Sequence, residues 1–106
     1  MLMLGIKPKN KYERVIVDNI AHYVINYKIE FNNDKNLFQW SSVRVNNLTY
    51  DEIVSAIIRD KYSNDKMQAI INNHLMEPDE EHIKEFQEMQ EWRKFAKSYA
   101  KEILTQ

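Results

Sequence analysis

Tyr23-Val24-Ile25-Asn26-Tyr27-Lys28-Ile29-Glu30-Phe31 decides the fold class, because its apolar residues alternate. Tyr23, Ile25, Tyr27, Ile29 and Phe31 share one side of an extended segment, and Val24, Asn26, Lys28 and Glu30 share the other, mostly polar side. That period of two is a strand half-buried on one face. Past residue 47 the period changes, with Tyr50, Ile53, Val54, Ile57 and Ile58 falling on one stripe of a helix. A strand block followed by a helix block predicts an α+β domain: a small antiparallel β-sheet of two or three strands, packed on three α-helices from the C-terminal half. Tyr23, Ile25, Tyr27, Ile29 and Phe31 are expected to point at Ile53, Ile57, Ile70 and Phe86.

Outward from this strand, Tyr12 to Val17 reads as a first short strand, interrupted at Asp18 and Asn19 by a bend or a turn. Asn32 to Asn36 is a turn-rich link, and Leu37 to Val45 reads as the return strand of a hairpin. The return strand changes phase: Phe38 and Trp40 sit on even positions, Val43 and Val45 on odd ones. A β-bulge at Ser41-Ser42 reconciles the two halves. A strand covered on both faces is the alternative.

The helices carry their own punctuation. Thr49 followed by Glu52 predicts a capping box ahead of a helix from Tyr50 to about Lys61. Ser63 caps a second helix whose inward residues are Met67, Ile70, Ile71 and Leu75. Glu77, Pro78, Asp79, Glu80 and Glu81 open a third, with Pro in the first turn and acids at the positive end of the dipole. It runs to about Leu104 and places Lys94, Lys97 and Lys101 toward its negative end.

Length and composition bound the functions. A chain of 106 residues is one domain, large enough to bury roughly two-thirds of its unfolded surface in a single core. Residues 1–11 read as a flexible, basic N-terminal arm through Lys7, Pro8, Lys9 and Lys11, and residues 12–106 as the domain. With 15 Lys plus Arg against 16 Asp plus Glu, the net charge of -1 argues against a protein built to grip a phosphate backbone. The absence of Cys excludes disulfides and thiolate metal sites and fits the cytoplasm. The apolar run of residues 1–6 is too short for a signal peptide, and nothing approaches a membrane span. One glycine, Gly5, cannot build a phosphate-cradling loop, which excludes Walker-type and Rossmann-type nucleotide binding.

Candidate chemistry is sparse. His74, Glu77, Asp79, Glu80, Glu81 and His82 supply zinc-ligand types around one helix junction, but at no established spacing, and the helix dipole accounts for the acids. Asp18 with His22, and Glu30 with Arg44, are conceivable acid–base pairs that read more simply as surface charge pairs. No catalytic, cofactor-binding or metal residue is therefore assigned, and no small-molecule ligand is evident. The two-helix segment 49–75 presents Asn64, Lys66, Gln68, Asn72 and Asn73 on its second helix. Together with the basic arm, it is the alternative reading, a nucleic-acid binder.

The stretches DEIVSAIIRDKYSNDKMQAIINNHL (51–75) and EFQEMQEWRKFAKSYAKEIL (85–104) resemble a group of small proteins encoded in phages and integrated mobile elements of gut anaerobic bacteria. Tyr62-Ser63-Asn64-Asp65, Ala69 to Leu75, and Glu85-Phe86 through Trp92-Arg93 to Ala96-Lys97 carry the match, over about half the chain. No activity is attached to that group. The resemblance implies a phage-related setting, in a host cytoplasm or on a virion, for instance as a tail or neck accessory protein.

The expected function is thus a non-enzymatic protein-interaction or assembly module. Tyr, Trp and Met, types enriched at protein interfaces, are well supplied. The expected surface is on the third helix, whose apolar arc widens between Trp92 and Leu104. Trp92, Phe95, Tyr99 and Ile103 are its candidate interface residues, facing another protein or a second copy, helix against helix. The competing expectation is that Leu2, Leu4 and Ile6 fold back over the same arc.

Overall fold

The structure, a computed structural model, describes residues 1–105. Four strands precede three helices: β1 (Leu2–Gly5), β2 (Tyr12–Val17), β3 (Ile20–Asn32), β4 (Leu37–Val45), α1 (Tyr50–Lys61), α2 (Asn64–Met76) and α3 (Glu80–Leu104). The class is α+β, as the change of period predicts, but the sheet has four strands rather than two or three. The additional strand comes from the segment read as a flexible arm. Leu2, Met3, Leu4 and Gly5 pair with Ser41, Trp40, Gln39 and Phe38, so the apolar run at the N-terminus finds partners for its backbone along β4.

All pairs are antiparallel, and the order β1-β4-β3-β2 is a Greek-key arrangement. Val17 and Ile20 face each other across Asp18 (φ 51°) and Asn19 (φ 63°). Positive φ at both central residues marks a type I′ turn, whose twist matches the strands it joins. Residues 6–11 cross from one edge of the sheet to the other. They run over the face opposite the helices, where Asn26 Nδ2 donates to the Asn10 carbonyl at 3.2 Å. Gly5 starts that crossing at φ 155°, a conformation that L side chains rarely adopt.

The bulge is not at Ser41-Ser42. Tyr27 faces Ser41 and Glu30 faces Gln39, so three steps along β3 match two along β4. The extra residue belongs to β3, where Lys28 takes a left-handed φ of 55°. β4 itself is regular, and its serines stay in phase. Past the bulge the facing of β3 inverts. Ile25 and Tyr27 point into the helices, whereas Phe31 stacks edge-on against Phe38 at 5.2 Å on the far side.

Two cores result. Ile25, Tyr27 and Val45 pack with Ile53, Val54 and Ile57 of α1 and with Ala96, Ala100 and Ile103 of α3. Tyr62, Ile70 and Met89 form a second cluster, edged by Met67, Ile71, Phe86 and Trp92. Ile70 and Phe86 therefore do not meet the strands as expected, and Leu75 is 71% exposed. α2 packs on the first half of α3, outside the sheet. The radius of gyration is 16.0 Å. A compact domain of this length has about 13 Å.

The caps hold with small changes. Thr49 Oγ1 accepts from the Glu52 amide, but the Glu52 carboxylate takes the Thr49 hydroxyl rather than the cap amide. Ser63 Oγ accepts from Lys66 N at 3.1 Å. Asp79 is the cap of α3, which leaves Pro78 one position outside the helix.

Candidate interaction surface

The four α3 residues singled out by their wide arc fall on the inner side of the molecule. Ile103 is buried in the main core. Trp92, Phe95 and Tyr99 are half-buried around Tyr27, with ring centroids 5.9, 6.1 and 6.4 Å from it. Trp92 Nε1 donates to the Ile57 carbonyl at 3.0 Å, tying α3 to α1. The Tyr99 hydroxyl donates to the Asn26 carbonyl, and the Tyr27 hydroxyl donates to the Asp60 carboxylate. Burial, with Asp60 beside it, pushes the Tyr27 phenol well above its ordinary pKa. Burial, followed by the charge of Glu102, pushes Tyr99 up to about 12. The arc is covered by β3 and α1 of the same chain, not by Leu2, Leu4 and Ile6, which lie at the other edge of the sheet and are exposed. The outer faces of the rings sit under ammonium groups: Lys28 Nζ is 4.1 Å from Phe95, and Lys61 Nζ is 4.8 Å from Trp92.

A different surface is open. On the sheet face opposite the helices, Met3 and Trp40 are paired neighbours, as are Gly5, Phe38 and Phe31 one row along. Neither core includes Phe31, Phe38 or Trp40. Phe31 is 45% exposed and Met3 37%, whereas Phe38 and Trp40 are half-buried beside the crossing segment 6–11, which brings Lys7 Nζ to 5.9 Å from the Phe38 ring. The edge strand β1 also exposes Leu2 and Leu4, on the helix side, and the flanking Met1 and Ile6 are exposed as well. Chains rarely leave so many large apolar side chains together in water without a use for them. Beyond Met1 the edge of β4 continues as one wall of a groove of about 930 Å³, whose other wall is the Ser55, Ala56 and Arg59 side of α1.

Two signals in the sequence bore on this surface. One was the uncharged run Met1–Ile6. The other was the even phase of Phe38 and Trp40, which marks the face they occupy rather than a bulge beside them.

The other candidates resolve into local structure. Asp79 Oδ1 accepts from His82 N at 2.9 Å, and His82 Nδ1 lies 2.7 Å from the Glu77 carbonyl oxygen. The carbonyl contact raises the imidazole pKa, opposed by desolvation. The Glu77, Asp79 and His82 ligand atoms lie within 4.8 Å of one another, as contacts that start α3. His74 stacks flat on Phe86 at 4.1 Å. Glu30 accepts from Gln39 at 2.7 Å, while Arg44 stands opposite Val24, so Glu30 and Arg44 are not neighbours. His22 faces Val15 and Asp18 sits in the turn, without a hydrogen bond between them among the described residues. Asn64, Lys66, Gln68, Asn72 and Asn73 are exposed on α2. The basic segment runs elsewhere, along the sheet, where Lys11 pairs with Glu102 at 2.9 Å. No helix among the described residues is long and apolar enough to cross a membrane.

Comparison with protein families, curated proteins and solved structures finds no match to this chain.

Proposed function

We propose that this chain is a non-enzymatic protein-interaction module, working through the open face of its sheet in a phage-related assembly. The carrying observation is the contiguous apolar surface of Met3, Phe31, Phe38 and Trp40, outside both cores. Aromatic and Met side chains are the types enriched where proteins meet. Its apolar side chains suit a protein partner better than a polyanion, which needs a stripe of cations. The phage-related setting rests on the resemblance of residues 51–75 and 85–104.

The proteins encoded beside this chain in its genome, purified and titrated against it by calorimetry, supply the test. One of them is expected to bind, and Phe31→Lys or Met3→Lys is expected to weaken that binding at least about tenfold, the cost of one buried contact of about 1.4 kcal/mol. Thermal unfolding of both variants should match the parent, since both sites are exposed. Failure of every such protein to bind, or binding that ignores both substitutions, overturns the reading.

A further inference from the structure

We infer that the partner along the sheet's apolar edge is a second copy of this chain, with β1 pairing antiparallel to its equivalent about a two-fold axis through Met3. The inference rests on the reading of this region as an interaction surface and adds the partner. Its first support is the direction of the backbone. In an antiparallel ladder the residues of a strand turn their N–H and C=O alternately to either side. Ser42 turns outward from β3, exchanging bonds with Met1 (Ser42 N to Met1 O, 2.8 Å), so Ser41 turns to β3. Leu2, opposite Ser41, then turns its groups away from β4, as does Leu4. Two residues of an edge strand thus offer donors and acceptors that nothing among the described residues takes.

The second support is that this edge complements itself. An axis through Met3 sets Leu2 against the partner's Leu4, Met3 against the partner's Met3, and Met1 against the partner's Gly5. Leu2 and Leu4 share the helix side of the sheet in both copies, so four leucines cluster there, at present 66% and 41% exposed. The glycine leaves room for the Met1 side chain opposite it. No charged side chain lies between Met1 and Ile6 to oppose the pairing, and the Met1 ammonium is taken up by Asp60 at 2.8 Å, whereas protected edges carry charges or proline. The other edge has that protection: β2 carries Glu13 and Arg14, directly preceded by Lys11. One free edge per copy yields a closed dimer with a continuous eight-stranded sheet, not a fibre. All helices then lie on one side, and the two apolar open faces join on the other.

Sedimentation from micromolar to millimolar concentration reads the association, and amide exchange reads its geometry. Expected are a doubling of mass and slowed exchange at the Leu2 and Leu4 amides in the dimer. Leu4→Pro removes an outward-facing N–H without breaking the ladder to β4, and Leu2→Lys places a charge at the centre of the leucine cluster. Both are expected to return the chain to monomer with thermal unfolding unchanged. A wild-type chain that stays monomeric to millimolar concentration overturns the pairing, as does a dimer that survives both variants or leaves those two amides exchanging freely. A monomer that still binds a different protein through Phe31 and Met3 overturns the pairing alone and leaves the open face as an interaction site.

Discussion

Tyr99 shows how one hydroxyl can couple the last helix to the sheet. Its O–H donates to the Asn26 carbonyl next to the edge where β2 begins, and the ring stacks on Phe95 at 5.6 Å. Because burial holds the phenol neutral up to about 12, against 10.0 for a free tyrosine, its contribution to stability is complete below pH 10 and vanishes as pH climbs through 12. Tyr27, raised for the same reason and by Asp60, adds to the loss in the same direction. Urea unfolding followed from pH 9 to 12 is expected to show falling stability. Tyr99→Phe should lower stability by about 0.5–1.5 kcal/mol at neutral pH through the lost hydrogen bond, and should make the alkaline decline shallower. An unchanged alkaline slope in Tyr99→Phe would assign the decline to other groups.

Among the elements, β3 departs most from its apparent simplicity. Its alternation predicts a single face for Tyr23 through Phe31, yet the inserted residue at Lys28 divides it, so the first part builds the core and the second builds the open face. A left-handed lysine carries a strain of about 1–2 kcal/mol, and its contact with Phe95 returns about 0.5–1 kcal/mol. Lys28→Gly is therefore expected to leave stability within about 1 kcal/mol of the parent, whereas Lys28→Val, stiff at its branched carbon, should lose about 2 kcal/mol or more in chemical denaturation. The limits of sequence reading lie in this same strand. The class, the bounds of β2 and β4 and all three helices were legible, because periodicity and caps are local. The bulge was detectable as a phase conflict, but either strand of the pair could hold it, and a lysine gives no sign of a left-handed backbone. β1 was invisible as a strand because its partner lies in β4, far along the chain, and four residues are too few to establish a period. The apolar face of Met3, Phe31, Phe38 and Trp40 escaped notice for the same reasons, whereas Trp92, Phe95 and Tyr99 of the α3 arc are half-buried around the chain's own Tyr27.

At the scale of the whole molecule, two cores strung along one 25-residue helix give extents of 47 × 35 × 27 Å. α2 is held by Ile70, Met67 and Ile71 against α3 and by little else, so the free energy of its local opening should fall well below that of α1, which is clamped between sheet and helix. Native-state hydrogen exchange is expected to release the amides of α2 first and those of α1 with the global transition. Equal protection would show a single cooperative unit. The strand order has a further consequence, for the chain as it is being made. β1 leaves the ribosome before the strand that shelters it, and Ser41 follows Leu2 by about 40 residues, a wait of seconds at about 5–20 residues per second. During those seconds an uncharged apolar strand is exposed in a crowded cell beside other nascent copies of itself. The same hydrogen-bonding groups that could join two finished molecules are then open to joining unfinished ones, so the speed with which β3 and β4 form their hairpin limits how much of the protein is lost to aggregation.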